Sequence, residues 1–207
     1  MKKLRSITFV LISTIIIYIG HTYYKNHKEK ETYKTAFVKD LEQAYRRISL
    51  EELDRAKKMR KNIQQYFDTV RQETNEKKNS YENARNFIVA ERHHNINLDL
   101  ETLDDTNWKV AQQSGVLSIF DKNQLVVLNK VYSKNNKLRN AKKTVKELTL
   151  EPFPFSTKLE MNTISNKYLT VLLKLETSLY DLENATRNAI KELDSDNKFI
   201  RELNSQK

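Results

Sequence analysis

From Lys25 to Ser114 the chain contains neither glycine nor proline, and its 207 residues hold only two of each: Gly20, Gly115, Pro152 and Pro154. A sheet must reverse direction at short intervals. Reversals draw on glycine for positive φ and on proline for a pre-set φ. A chain this short of both is expected to be all-α. Its charged residues make up 31% of the sequence, and both signs are interleaved along it. That pattern belongs to amphipathic helices bathed in solvent rather than to a compact two-layer domain.

Apolar spacing supports helices segment by segment. Val38, Leu41, Tyr45 and Ile48 follow a 3-4-3 step, and Ala56, Met59, Ile63, Tyr66 and Val70 resume it. Tyr45 to Ala56 and Ile48 to Met59 are both steps of eleven, a break in heptad phase of the stutter kind. Residues 74–80 are polar and suggest a turn, with a second helix expected over 80–98. An acidic connector follows, holding Asp99, Glu101, Asp104 and Asp105, and a short helix is expected over 107–114. Gly115 suits the left-handed position that closes such a helix. Asp121 with Gln124 forms a capping-box pattern at the start of a long helix lined by Leu125, Leu128, Val131, Tyr132, Leu138, Ala141, Val145 and Leu148. The EPFPF run at 151–155 stops that helix, and Thr157 with Glu160 would cap the last one. There Leu172, Leu175, Leu179, Leu182, Ala189 and Leu193 keep a/d spacing, with Thr186 as the polar exception. Short connections between long helices imply antiparallel neighbours.

The N-terminus has a different character. Lys2, Lys3 and Arg5 precede Ser6–Tyr24, a run without a formally charged side chain. As a helix it would span roughly 28 Å, close to a bilayer's hydrocarbon core of ~30 Å. A cleaved signal peptide shares the basic start and apolar run, but it ends in small residues, and here Tyr18 occupies a position that should be small. Tyr18, Tyr23 and Tyr24 suit a headgroup belt. The reading favoured is an uncleaved signal anchor. The expected organisation is therefore a membrane anchor over 1–24, a helical bundle body over 25–198 and a polar tail over 199–207. In fold class this is an N-terminal transmembrane helix continuing into an elongated antiparallel bundle or coiled coil. Lys25, Lys28, Lys30, Lys34 and Lys39 follow the span, so counting positive charge does not by itself put the N-terminus inside. Long domains translocate regardless of charge, and the five-residue basic start is that of an ordinary signal anchor. The expectation is a single-pass protein of the inner membrane with an extracytoplasmic body.

Chemistry is harder to find. There is no cysteine, and phosphate loops, dinucleotide fingerprints and nucleophile elbows lack the glycines they need. The adjacent His93 and His94 would point about 100° apart on a helix, which does not suit one metal ion. The acidic connector lacks the glycine and closing glutamate of a calcium loop. No catalytic, cofactor or metal residue is assigned, and no enzyme activity is expected. The net charge is +10, of which Lys2, Lys3 and Arg5 supply three. Six basic residues and no acid occupy 134–146: Lys134, Lys137, Arg139, Lys142, Lys143 and Lys146. They form a solvated face, a partner for the acidic connector, or a contact for an anionic polymer or headgroup. With no aromatic interleaved, nucleic acid is not an expected partner. Trp108, the sole tryptophan, is expected to plug the bundle, and Gly115 to turn the chain behind it.

Thr106, Trp108, Ser114 and Gly115 form a T-x-W-x5-S-G element, and the helix after it reaches Tyr132. In this stretch of about thirty residues, and in its general layout, the chain resembles a group of uncharacterised bacterial single-span membrane proteins with a charged helical body. The resemblance implies architecture and no chemistry. Together these features point to a membrane-anchored interaction or scaffold protein that binds a protein partner or a second copy. The alternatives are an extracytoplasmic sensor-like or polymer-binding module, and an envelope-spanning tether.

Overall fold

The computed structural model describes residues 2–76, 103–150, 158–194, 199, 201 and 202, with only the backbone for residues 2–13, 70, 73–76, 149, 150, 158 and 159. Helix α1 runs Lys2–Arg47, a π-helical turn covers Ile48–Glu52, and α2 continues over Leu53–Glu76. Helix α3 is Thr106–Ser114, followed by a 3-10 turn at Val116–Ile119; α4 spans Lys122–Leu150 and α5 spans Lys158–Leu193. No strand occurs among the described residues. The helices expected at 80–98 and the EPFPF corner lie outside them, as do Thr157 and the Asp99–Glu101 part of the connector.

The local signals resolve into specific hydrogen bonds. At the start of α4 the Gln124 N–H donates to Asp121 Oδ1 at 2.9 Å, and the Asp121 N–H donates to Gln124 Oε1 at 3.4 Å. This reciprocal pair satisfies two amides that the first helical turn leaves without partners. Gly115 closes α3 with φ +74°, a conformation in which any Cβ is strained. Open space surrounds that site, so the demand for glycine is a backbone demand.

The break in heptad phase has a physical form. Between the two apolar sets the backbone switches to wider hydrogen bonding, with the Leu53 N–H donating to Ile48 O across five residues. Ile48, Ala56 and Met59 all stay in the core across the switch. The same turn carries Glu52 inward, where 2% of it is exposed. Such single-turn π segments often mark sites of use rather than defects.

Three long rods build one core. Phe37, Leu41 and Tyr45 from α1 meet Leu128, Val131 and Leu138 from α4, and Leu172, Leu175, Leu179 and Leu182 from α5. Every α5 position read at a/d spacing is buried, and the Thr186 hydroxyl donates to the Leu182 carbonyl at 2.7 Å. A second cluster of Phe67, Leu148, Met161 and Tyr168 closes the far end. Cross-links give the directions. Arg60 meets Glu176 at 2.8 Å and Arg71 meets Asn162 at 3.1 Å, so α2 runs antiparallel to α5. Lys134 pairs with Asp181, and the Tyr168 hydroxyl donates to the Leu148 carbonyl at 2.7 Å, so α4 also opposes α5. The α1–α2 rod and α4, which are not neighbours in sequence, therefore run parallel, while α4 and α5, joined by a short connection, are antiparallel as the sequence suggested.

Two parts of the sequence reading need adjustment. Phe199, placed at the start of a polar tail, is buried against the edge of Tyr45 at 5.7 Å with Arg46 over its ring at 4.4 Å. The core thus extends past residue 198. Among the described residues, no helix is long and apolar enough to cross a membrane. The side chains of residues 6–13, the first part of the uncharged run, lie outside the described set. In its second part, Ile15 to Ile19, Tyr23 and Tyr24 project from α1 and are more than half exposed.

Candidate functional site

Aromatic and charged groups converge where α3 crosses α1 and α4. Trp108 is buried, its ring stacked on Tyr132 at 4.6 Å and 11° and tilted against Phe37 at 6.2 Å. Phe37 in turn contacts Phe120 at 5.9 Å. Ala111 and Val116 complete the seat. The expected plug is therefore in place. It is there because a nine-residue helix, too short to be stable alone, gains its order from one large apolar side chain.

Ion pairs pin this element. Asp105 accepts from Arg139 Nη1 at 2.6 Å and from Lys109 Nζ at 3.0 Å. The Arg139 hydrogen bond is the first cause holding its carboxyl well below the usual range, at about 2, with Lys109 acting in the same direction. Arg139 Nη2 also donates to the Leu103 carbonyl at 3.2 Å, and Asn135 Nδ2 donates to the same oxygen at 2.9 Å. Asn107 Nδ2 donates to Asp40 Oδ2 at 2.7 Å, tying α3 to α1. Asp104 accepts from both the backbone N–H and the hydroxyl of Thr106, at 2.9 and 2.7 Å. Those bonds lower its pKa.

The basic stretch of α4 is not one patch. Lys134 is turned to Asp181 on α5, and Arg139 to Asp105 and Leu103. Lys142 acts electrostatically on Glu52 of the π turn. Lys143 lies 3.8 Å from Glu147 on its own helix, both largely in solvent. Lys137 and Lys146 are exposed. Like charges adjacent in sequence are thus dealt to different sides of a helix by its 100° step. Arg139 meets the acidic connector, one of the roles read for the stretch.

Four groups escaped the sequence reading: the half-buried Asp40, and the buried Asn135, Tyr132 hydroxyl and Glu52. Tyr132 is buried, and among the described residues its hydroxyl has no hydrogen-bond partner. Burial is the main cause raising its pKa, and the charges of Asp40, Asp105 and Asp104 act the same way. Asn135, 1% exposed, has no donor for Oδ1 among the described residues. Glu52 has Oε1 at 3.8 Å from Arg55 and, among the described residues, no partner for Oε2. Burial raises its carboxyl pKa against the pull of Arg55 and Lys142, with Glu51 adding to the rise. The single available signal was Glu52's place inside the phase break. Beside the α3 junction opens a cleft of about 250 Å³, lined by Asp40, Gln43, Ala44, Arg47, Ile48, Leu103 and Asp104. Among the described residues no group of three or more His, Cys, Asp or Glu side chains is placed to hold a metal ion.

Fold and site together define an all-α bundle braced by a tryptophan-centred junction. No family model, curated protein or solved structure matches the chain.

Proposed function

We propose that the chain is a membrane-tethered helical scaffold, with a bundle that engages a protein partner or a second copy and no catalytic role. One observation carries the reading. Helix α1 is a single element from Lys2 to Arg47, exposed and apolar at Ile15–Ile19 and buried in the core from Phe37 onward. A cluster of exposed isoleucines followed by tyrosines costs solvation free energy in water and is stabilised in a bilayer, with the tyrosines at the headgroups. An unbroken helix transmits that placement rigidly to the bundle. In this reading residues 6–24 insert, the protein is single-pass in the inner membrane, and the body stands outside the cytoplasm. The resemblance to single-span membrane proteins around Trp108 agrees with that layout.

The test is alkaline carbonate extraction of membranes from cells producing the full chain, followed by protease treatment of intact spheroplasts. Retention in the pellet with a body digested from outside is expected. Release of the full-length chain by carbonate would refute the tether, and a body protected in intact spheroplasts would reverse the orientation.

A further inference from the structure

The solvent side of α5 carries an uncharged stripe between basic flanks. Asn166, Thr170, Leu173, Thr177, Tyr180 and Asn184 are all exposed. Their steps of four and three put them on one line along the helix, opposite the seam of Leu172, Leu175, Leu179 and Leu182. The stripe is roughly 27 Å long. It holds no formal charge, in a chain of which 31% is charged. Leu173 and Tyr180, one heptad apart, are each about half exposed. Solvating them costs free energy that burial against a partner recovers. Small threonines alternate with them and leave room for a second helix to approach. The Lys134–Asp181 pair puts α4 on one side of the stripe, and the Arg60–Glu176 pair puts α2 on the other. Lys167, Lys174 and Asp181 are seven residues apart and share the α4 flank. Lys130 and Lys137, four before and three after Lys134, stand on the same side of α4. On the α2 side Lys57 lies three residues before Arg60, and Arg71 reaches Asn162 and Ser165. Asp181, Glu176 and Asp68 already pair with Lys134, Arg60 and Arg71. Lys57, Lys130, Lys137 and Lys174 are exposed and have no ion-pair partner among the described residues.

We infer that the uncharged stripe of α5 docks an acidic amphipathic helix of a partner protein, which seats apolar side chains on Leu173 and Tyr180 and carboxylates beside the flanking lysines. This rests on the chain being an interaction scaffold, and gives that scaffold a surface and a class of partner. Charge selects among the occupants. A second copy brings the same basic flanks and is repelled. An anionic polymer engages the lysines and gains nothing from the two apolar side chains. A purely apolar helix covers the stripe and leaves the lysines beside it desolvated without partners. An acidic helix meets both demands. Its heptad spacing matches that of the stripe, and carboxylates on either side of its apolar seam match bases on either side of α5.

The test uses the full chain purified in a neutral detergent and synthetic peptides about three heptads long, a length that matches the stripe. One peptide has leucine at a and d and glutamate at e and g. A second scrambles that order, and a third replaces glutamate with lysine. Fluorescence anisotropy of the dye-labelled peptides follows binding, with empty micelles as the blank. Saturable binding of the first peptide alone is expected. It should weaken as salt rises, because exposed charges are screened beyond ~10 Å at 0.1 M. Leu173→Asp with Tyr180→Asp should weaken it about tenfold or more, and so should Lys137→Glu with Lys174→Glu. All four side chains are exposed, so circular dichroism should show the helices intact; Thr177→Glu replaces the first pair if it unfolds. No saturable binding above the blank would overturn the inference. Equal binding of the scrambled or lysine peptide would also overturn it, as would binding unchanged in both variant pairs. A dimer in sedimentation that Leu173→Asp with Tyr180→Asp dissociates would overturn it too, and would assign the stripe to a second copy. Carbonate extraction judges the tether separately, so failed peptide binding leaves the tether standing, and release by carbonate leaves a positive peptide result intact.

Discussion

Replacing Trp108 with alanine removes the side chain on which the α3 junction is built. The indole is 6% exposed and contacts the Tyr132 and Phe37 rings at 4.6 and 6.2 Å. Truncating a buried tryptophan to alanine costs about 3–5 kcal/mol, including the cavity left behind. Within that total each aromatic pair accounts for about 0.5–1.5 kcal/mol. The upper half of the range is expected here, because Phe37 and Tyr132 belong to different rods and cannot both move in without separating α1 from α4. At about 2–4 °C per kcal/mol for a chain of this size, the midpoint should fall by roughly 8–20 °C. The assay is thermal unfolding of the purified chain followed by far-ultraviolet circular dichroism, with Trp108→Phe alongside. The phenylalanine variant keeps a ring against Tyr132 and should recover a good part of the loss. An unchanged midpoint for Trp108→Ala, together with parent emission typical of a water-exposed indole, would refute the plug and make Trp108 a partner-binding residue.

Two further predictions concern titrating groups. Glu52 has a folded pKa raised by burial, so the folded state binds its proton more tightly than the unfolded one. Its contribution is present below the ordinary glutamate pKa of about 4.3 and is lost as pH rises through the raised value. Glu52→Gln, which mimics the neutral form, should therefore stabilise the chain at pH 7 by about 1–2 kcal/mol and do little near pH 4, as read by urea midpoints; destabilisation at pH 7 would show that the carboxylate is paired. Asp105 has the opposite sign: its pKa is lowered to about 2 by Arg139 and then Lys109. Its contribution is present above the ordinary aspartate pKa of about 3.9 and fades as pH falls towards 2. Because Arg139 is partly exposed and solvent screens the pair, Asp105→Asn should cost about 1 kcal/mol at pH 7 and only a small part of that at pH 2, and an equal cost at both would refute the ion pair as its source.

What the sequence determined by itself is what neighbouring residues decide among themselves. The scarcity of glycine and proline enforced helices, the Asp121–Gln124 pair marked where α4 begins, and Gly115 marked where α3 ends. The α5 seam from Leu172 to Leu193 could be read position by position. Each of these depends on contacts within about four residues, the range over which a helix satisfies its own backbone and stacks its own side chains. Even the π turn announced itself locally, as a break in the apolar phase at Ile48–Glu52. Tertiary structure decided which faces meet. The parallel course of the α1–α2 rod and α4 follows from packing both against α5, and no local pattern encodes it. That course brings Arg139 to Asp105, 34 residues away in sequence, and places Asp40 near Tyr132. It also closes the core over Glu52 and Phe199. A charge or an aromatic ring is legible in the sequence, but its burial and its partner depend on chain segments that meet only after folding. For the same reason the buried oxygens of Tyr132 and Asn135 that have no partner among the described residues are a product of the folded molecule alone.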